Sequence, residues 1–208
     1  MQVTTLDTFG ARQTLKVGNT EYQIVSLAAA EKKLGAGIRR LPITQRVLLE
    51  NLLRHEDGDT VTADDIRALA AWVDNPHSER GVSLNPTRVV LPDSSGVPML
   101  ADVAAMRDAM ARAGADPRKV NPLRNTDLVI DHAVIAEFAG TADAFEKNLD
   151  LEFKDNRERY ELVKWAQREF RNFRVIPPGA GIIHQVNLEF LSRPVWSEMT
   201  ENAELACM

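Results

Sequence analysis

Cysteine is nearly missing from this sequence: Cys207 is the single one among 208 residues. No disulfide can form within the chain, and its own side chains cannot assemble a cysteine-rich metal centre. Long apolar runs are missing as well. No window approaches the roughly 18 consecutive apolar residues of a membrane-crossing helix, so that kind of span is excluded. Nor is there an excess of positive charge. Lys and Arg total 25 against 30 Asp and Glu, for a net charge of −5. Nucleic-acid binding needs a basic surface that displaces counterions, so RNA is not an expected partner. Internal repeats and low-complexity tracts are lacking. The opening Met1-Gln2-Val3-Thr4-Thr5-Leu6-Asp7 has neither the basic start nor the apolar stretch of a signal peptide, so the chain reads as cytoplasmic.

What is present is ordinary globular material. Hydrophobic residues make up 44% and charged residues 26%, which fits a soluble folded protein and not a disordered one. The length suits one domain or two. Residues Arg12 to Ser26 carry an alternating pattern around Gly18-Asn19 and predict a β-hairpin. Short helices follow at Ala28 to Leu34, after Pro42 with Val47, Leu48, Leu52 and Leu53 inward, and after Thr62 with Asp65 completing a cap. Asp74 to Pro86 turns polar and marks a boundary, with residues 1–80 as a hairpin and helical part and 81–208 as an α/β core. In that core, Arg88-Val89-Val90-Leu91, Leu128-Val129-Ile130 and Arg174-Val175-Ile176 read as buried strands. Asp93-Ser94-Ser95-Gly96 reads as a turn, and Pro98 to Ala113 as a helix with Met99, Met106 and Met110 in the core. Phe145 to Phe173 reads as charged helix, with Asp155 facing Arg159 and Arg157 facing Glu161. Strand, helix, strand, helix, strand implies an α/β fold with a partly parallel sheet flanked by helices.

Parallel sheets place ligands beyond the carboxyl ends of their strands. Two of the four histidines fall there. His132 follows Leu128-Val129-Ile130 with Asp131 beside it, and His184 follows Ile182-Ile183. An aspartate beside a histidine can orient the ring and hold it as a cation, which makes a general acid. By residue chemistry alone, a capped, satisfied histidine is the commoner occupant of such a position. Pro177-Pro178-Gly179-Ala180-Gly181 is a rigid and then permissive segment. It lacks the spaced glycines and Lys-Ser/Thr of a phosphate loop, so a connecting turn is the simpler reading. Lys32, Lys33, Arg39 and Arg40 form a small basic cluster that reads as a solvated face.

Several runs, in order along nearly the whole chain, resemble the aconitase and iron-regulatory protein family. They include Arg46-Val47-Leu48-Leu49-Glu50-Asn51-Leu52-Leu53-Arg54, Gly96-Val97-Pro98 and Asp127-Leu128-Val129-Ile130-Asp131-His132. Asn156-Arg157-Glu158-Arg159-Tyr160, Ile176-Pro177-Pro178-Gly179 and Gly181-Ile182-Ile183-His184-Gln185-Val186-Asn187-Leu188-Glu189 continue the match. The helical N-terminal part is similar to the bacterial aconitase A and cytosolic iron-regulatory branch. The resemblance implies a hydro-lyase of the tricarboxylic acid cycle that interconverts citrate and isocitrate through cis-aconitate on a four-iron, four-sulphur (4Fe-4S) cluster. It further implies that Asp131 and His132 assist departure and return of the hydroxyl as water, with His184 hydrogen-bonding near the same oxygen.

Two departures qualify that expectation. The family carries a carboxylate-binding glutamine where this sequence has Pro92, followed by Asp93-Ser94-Ser95. Proline offers no side-chain amide and no N–H, so a relative acting on a different tricarboxylate-like acid is an alternative. The resemblance also places the cluster cysteines in a later part of the family sequence, so none of the metal ligands is expected in this chain. A cubane needs several thiolates. The 208 residues then correspond to the N-terminal portion of the family and are expected to be inactive alone. Their partner is the remaining polypeptide or a completing subunit. A non-catalytic binding module is the other alternative.

Overall fold

Alternating residues on either side of Gly18-Asn19 form the expected hairpin. Strand β1 (Arg12–Val17) pairs antiparallel with β2 (Thr20–Val25), with Leu15 opposite Tyr22. The computed structural model describes residues 5–77, 79–130, 135–199 and 204–207. Helix α1 (Leu27–Leu34) begins on Ser26, whose Oγ accepts the Ala29 N–H at 3.2 Å. It stops at Gly35, whose N–H donates to the Glu31 carbonyl at 2.8 Å. Helix α2 (Ile43–Arg54) starts directly after Pro42. Its second half is buried on every side, from Leu49 to Arg54. Val47, expected inside, is exposed, and Leu49 takes its place in the core with Leu52 and Leu53. The amphipathic pattern fails because the first half of the helix is open while neighbours enclose the second half on every side. Glu50 and Arg54 tolerate that burial by pairing one turn apart, Nε to Oε1 at 3.1 Å. Burial pushes the Glu50 carboxyl above its usual range, against the pull of Arg54. Helix α3 (Ala63–Ala70) carries the expected capping box. The Asp65 N–H reaches Thr62 Oγ1 at 3.3 Å and the Thr62 N–H reaches Asp65 Oδ2 at 2.9 Å. Ile66 and Leu69 face the same core as α2. The small basic cluster is used in local ties: Lys33 Nζ donates to the Thr8 carbonyl, Arg39 pairs with Glu31, and Arg40 with Asp74.

Two compact units divide the chain, Met1–Asn85 with Arg193–Met208, and Pro86–Ser192. The sequence reading draws its boundary after residue 80; the chain divides between Asn85 and Pro86, and the last residues group with the first unit. Asn51 holds that junction residue, with its Nδ2 donating to the Asn85 carbonyl at 2.7 Å and its Oδ1 accepting the Asn85 N–H at 3.0 Å.

The second unit is built on three parallel strands in the order β3 (Arg88–Pro92), β4 (Asn125–Val129), β5 (Phe173–Ile176). Between them run α4 (Asp93–Arg112), α5 (Ala144–Asp155) and α6 (Arg157–Glu169). After β5 comes a short α7 (Ile183–Val186), which continues as a π-helical turn over Asn187–Leu191. This is the α/β architecture the sequence implied. Side chains alternate across the strands. On one face Leu128, Ile130 and Phe173 pack with Leu100 of α4, Val163 and Ala166 of α6, and Phe170 just past the end of α6. On the other, Val129, Val90 and Ile176 lie under Ile183, Val186 and Leu191.

Three expectations are corrected. Asp93-Ser94-Ser95-Gly96 is no turn but the first turn of α4, so Pro98 lies inside that helix. Asp93 suits the positive end of the helix dipole. Gly96 is tolerated there because α4 runs so close to the sheet that a Cβ would lie 2.4 Å from Leu128 Cδ1. The charged stretch breaks at Asn156 into two helices, so Asp155 closes one and Arg159 belongs to the next. Arg157 pairs with Glu161 at 2.9 Å as expected, but Arg159 pairs with Asp93 and Glu152 instead of Asp155. The methionine stripe is only partly core. Met99 packs against it while Met106 is exposed, since α4 overhangs β3, an outer strand of this sheet.

Two further strands end the chain. β6 (Trp196–Met199) pairs antiparallel with β7 (Glu204–Cys207), and β7 lies parallel to β2, giving a sheet in the order β1-β2-β7-β6. Val195 is exposed, and Trp196 is half-buried beneath the Arg193 guanidinium.

Candidate active site

The strands of the parallel sheet end in register. Pro92 lies beside Val129, and Val129 beside Ile176. Ile130 adds one more bond, its N–H donating to the Ile176 carbonyl at 3.0 Å. The segments leaving this edge are therefore Asp93 into α4, the residues after Ile130, and Pro177-Pro178-Gly179. Asp131 and His132 lie outside the described residues. Pro92 is half-buried, closes β3 and precedes the first turn of α4, making no side-chain cap bond. Its ring presents no hydrogen-bonding group at this edge.

Gly179 explains why the turn after β5 has its composition. Its φ is +84°, and a Cβ there would lie 2.9 Å from Phe145 Cζ. Both the backbone and the space require glycine. The turn delivers the chain to α7, which lies on Val129 and Ile176 through Ile183 and Val186. The expectation that His184 ends a strand is corrected: the chain is helical from Ile183, so His184 sits in α7, where it is exposed and, among the described residues, its ring has no hydrogen-bond partner. The structure thus sets His184 on the segment covering the β4 face that ends at Val129.

Sequence reasoning missed the charged groups that hold this edge. Asp93 is buried, and its Oδ2 lies 2.9 Å from Arg159 Nη1. Arg159 Nη2 pairs with the buried Glu152, and Tyr160 donates its hydroxyl to the same Glu152 oxygen at 2.8 Å. Burial first, and then the Glu152 carboxylate, push the Tyr160 hydroxyl above its ordinary value, so it stays a donor. Arg159 Nε is buried with no partner among the described residues. The one sequence signal was the Asn156-to-Tyr160 run, and spacing alone could not show that it ties α4 to α5 and α6. On the opposite face, Asp127 is held between Arg88 at 3.0 Å and Arg174 at 2.7 Å, and Arg88 also donates to Asn187.

A sequence profile of the aconitase family (aconitate hydratase) matches residues 64–200, which include every strand-end position described above. The chain belongs to the aconitase family. The aconitate hydratase A of Bradyrhizobium diazoefficiens is 50% identical over 196 residues, covering 94% of this chain and 22% of that protein. That of Salmonella typhimurium is 49% identical over 196 residues, again 94% of this chain and 22% of the relative. That of Thermus thermophilus is 47% identical over 200 residues, 96% of this chain and 22% of the relative. This aconitase-family chain therefore spans about a fifth of the length of the curated relatives it matches.

The donor set of this aconitase-family chain does not fit a four-iron cluster. A cubane is held by several thiolates, and the chain carries only Cys207. Among the described residues no three His, Cys, Asp or Glu side chains converge on a metal position. Among the same residues no helix is long and apolar enough to cross a membrane.

Proposed function

We propose that this chain is the N-terminal, site-contributing part of an aconitate hydratase-like hydro-lyase. That enzyme would interconvert citrate and isocitrate through cis-aconitate in the cytoplasm. The observation that carries this reading is identity of 47–50% over 94–96% of the chain to proteins named aconitate hydratase A. The iron–sulphur cluster belongs to the remaining polypeptide, and this chain contributes proton-handling side chains. His132, oriented by Asp131, acts as the general acid and base at the hydroxyl that leaves and returns. His184 donates a hydrogen bond to the same oxygen. Each is worth about 10²- to 10⁴-fold in turnover.

Pro92 favours a second reading, in which the substrate is a different tricarboxylate-like acid. Without an amide at the end of β3, one carboxylate contact is missing from this edge. A hydrogen bond to a charged group contributes about 1.5–3 kcal/mol, or roughly 10- to 100-fold in affinity.

The test joins this chain to the cluster-bearing remainder of a relative under anaerobic iron and sulphide loading, and follows cis-aconitate. Turnover of citrate is expected, with loss on His132→Ala or His184→Ala and a lower KM for citrate on Pro92→Gln. An assembled protein with an intact cluster spectrum and no turnover of citrate or related acids would refute the enzyme reading. Turnover of another tricarboxylate in preference to citrate would select the second.

A further inference from the structure

We propose that Arg88 is a positioning residue for His184, acting through Asn187. The proposal rests on the reading of His184 as a site residue. Asp127 is buried within β4 and is contacted by two guanidiniums, Arg88 Nη1 to Oδ2 at 3.0 Å and Arg174 Nε to Oδ1 at 2.7 Å. Arg88 turns its other terminal nitrogen, Nη2, to Asn187 Oδ1. Balancing the charge of Asp127 does not require that second bond.

Asn187 stands three residues after His184, at the start of the π-helical turn. Its N–H donates back to the carbonyls of α7, and its own carbonyl accepts the Ser192 N–H at 2.7 Å. Its backbone is therefore continuous with the segment that carries His184. Ile183, Val186 and Leu191 hold that segment on the sheet. Apolar burial is non-directional and by itself fixes the rotation of a short helix less sharply than a hydrogen bond does. The guanidinium–amide bond is directional, and Asp127 fixes the plane of the guanidinium fork. The bond sets how far α7 is rotated and hence where His184 points. π-helical turns recur at functional sites, and here the turn places Asn187 within reach of β3.

The experiment uses the 208-residue chain with isotopically labelled histidine. The His184 ring resonance is assigned by its loss in His184→Gln. Asn187→Leu removes the acceptor and keeps an apolar body of similar size. The ring resonance is expected to move, and amide exchange across Ile183–Leu191 to quicken by about tenfold or more relative to Leu128. Asn187→Asp keeps an acceptor for Arg88 and is expected to restore both. Arg88→Lys keeps charge beside Asp127 but loses the fork, and is expected to reproduce the Asn187→Leu behaviour. An unmoved ring resonance in both Asn187→Leu and Arg88→Lys overturns the proposal, as does an Asn187→Asp protein displaced as far as the leucine variant. These readouts need no turnover. Failure of the catalytic reading shows separately, as unchanged activity of His184→Ala in the reconstituted enzyme.

Discussion

Replacing Gly96 by alanine tests how closely α4 is bound to the sheet. Gly96 is buried in the first turns of α4, and an added Cβ would lie 2.4 Å from Leu128 Cδ1, 2.9 Å from its Cγ and 3.5 Å from Leu91 Cβ. Carbon atoms settle about 3.5–4.0 Å apart, so Leu128 must move by roughly 1 Å. It has nowhere to go, being fully buried among Leu100, Ile130 and Val163. Overpacking of this kind costs about 1–3 kcal/mol, and forcing Leu128 off its rotamer adds about 0.5–1.5 kcal/mol. Gly96 has ordinary helical φ, so alanine returns about 1 kcal/mol of helix propensity. The balance is a loss of about 0.5–3.5 kcal/mol. Urea titration followed by circular dichroism is expected to show a lower midpoint with unchanged slope. In the background of Leu128→Val the same substitution is expected to cost at least about 1 kcal/mol less, because the shortened side chain makes room. A Gly96→Ala protein as stable as the parent, or two substitutions that simply add, would refute the packing described for α4.

The remaining predictions concern the first unit. Thr62→Ala removes the α3 cap and is expected to cost about 1 kcal/mol by urea titration. The Thr62 hydroxyl and N–H, with Arg80, lower Asp65 from 3.8 to about 2. A carboxyl lowered on folding stabilises above its unfolded value and loses that effect as pH falls through the folded one. The contribution of Asp65 is therefore expected to fade between about pH 4 and pH 2, worth about 0.5–1 kcal/mol at a screened position. Comparing the parent with Asp65→Asn at about pH 3 and pH 6 reads this out, and parallel curves would exclude it. Arg54→Met leaves Glu50 buried without its partner and is expected to cost about 3–5 kcal/mol at neutral pH. Because Glu50 is already raised by burial, that loss is expected to shrink as pH falls and the carboxyl takes up its proton. A pH-independent loss would show that the buried charge is not its cause.

Much of the local structure was written in short-range chemistry. The Gly18-Asn19 hairpin, the helix at Ala28 to Leu34, the Thr62–Asp65 box and three apolar strands follow from turn residues, caps and periodicity within a few positions. The reading failed where the deciding partner is remote. Val47 is exposed and Leu49 buried because only the second half of α2 is enclosed on all sides, while its first half stays open. Asp93 to Gly96 has the composition of a turn but is helical, and its glycine answers to Leu128, distant in sequence, which leaves no room for a Cβ. Asp155 and Arg159 have helical spacing, but the chain breaks between them.

Of the candidate site, the sequence by itself determined the residue chemistry: histidines after short apolar runs, Pro92 in place of an amide, and a single cysteine that cannot hold a cubane. It also determined family membership, because about half the positions are identical to those of aconitate hydratases. The tertiary structure alone decided the register that brings Pro92, Val129 and Ile176 to one edge. It likewise decided that Arg159 ties Asp93 to Glu152, and that Arg88 reaches from β3 to Asn187. The physical reason is range. Turn propensity, capping and amphipathic period are set by neighbours in the chain, whereas a buried charge can take any partner that packing brings within hydrogen-bonding distance, and no spacing rule records which one that is.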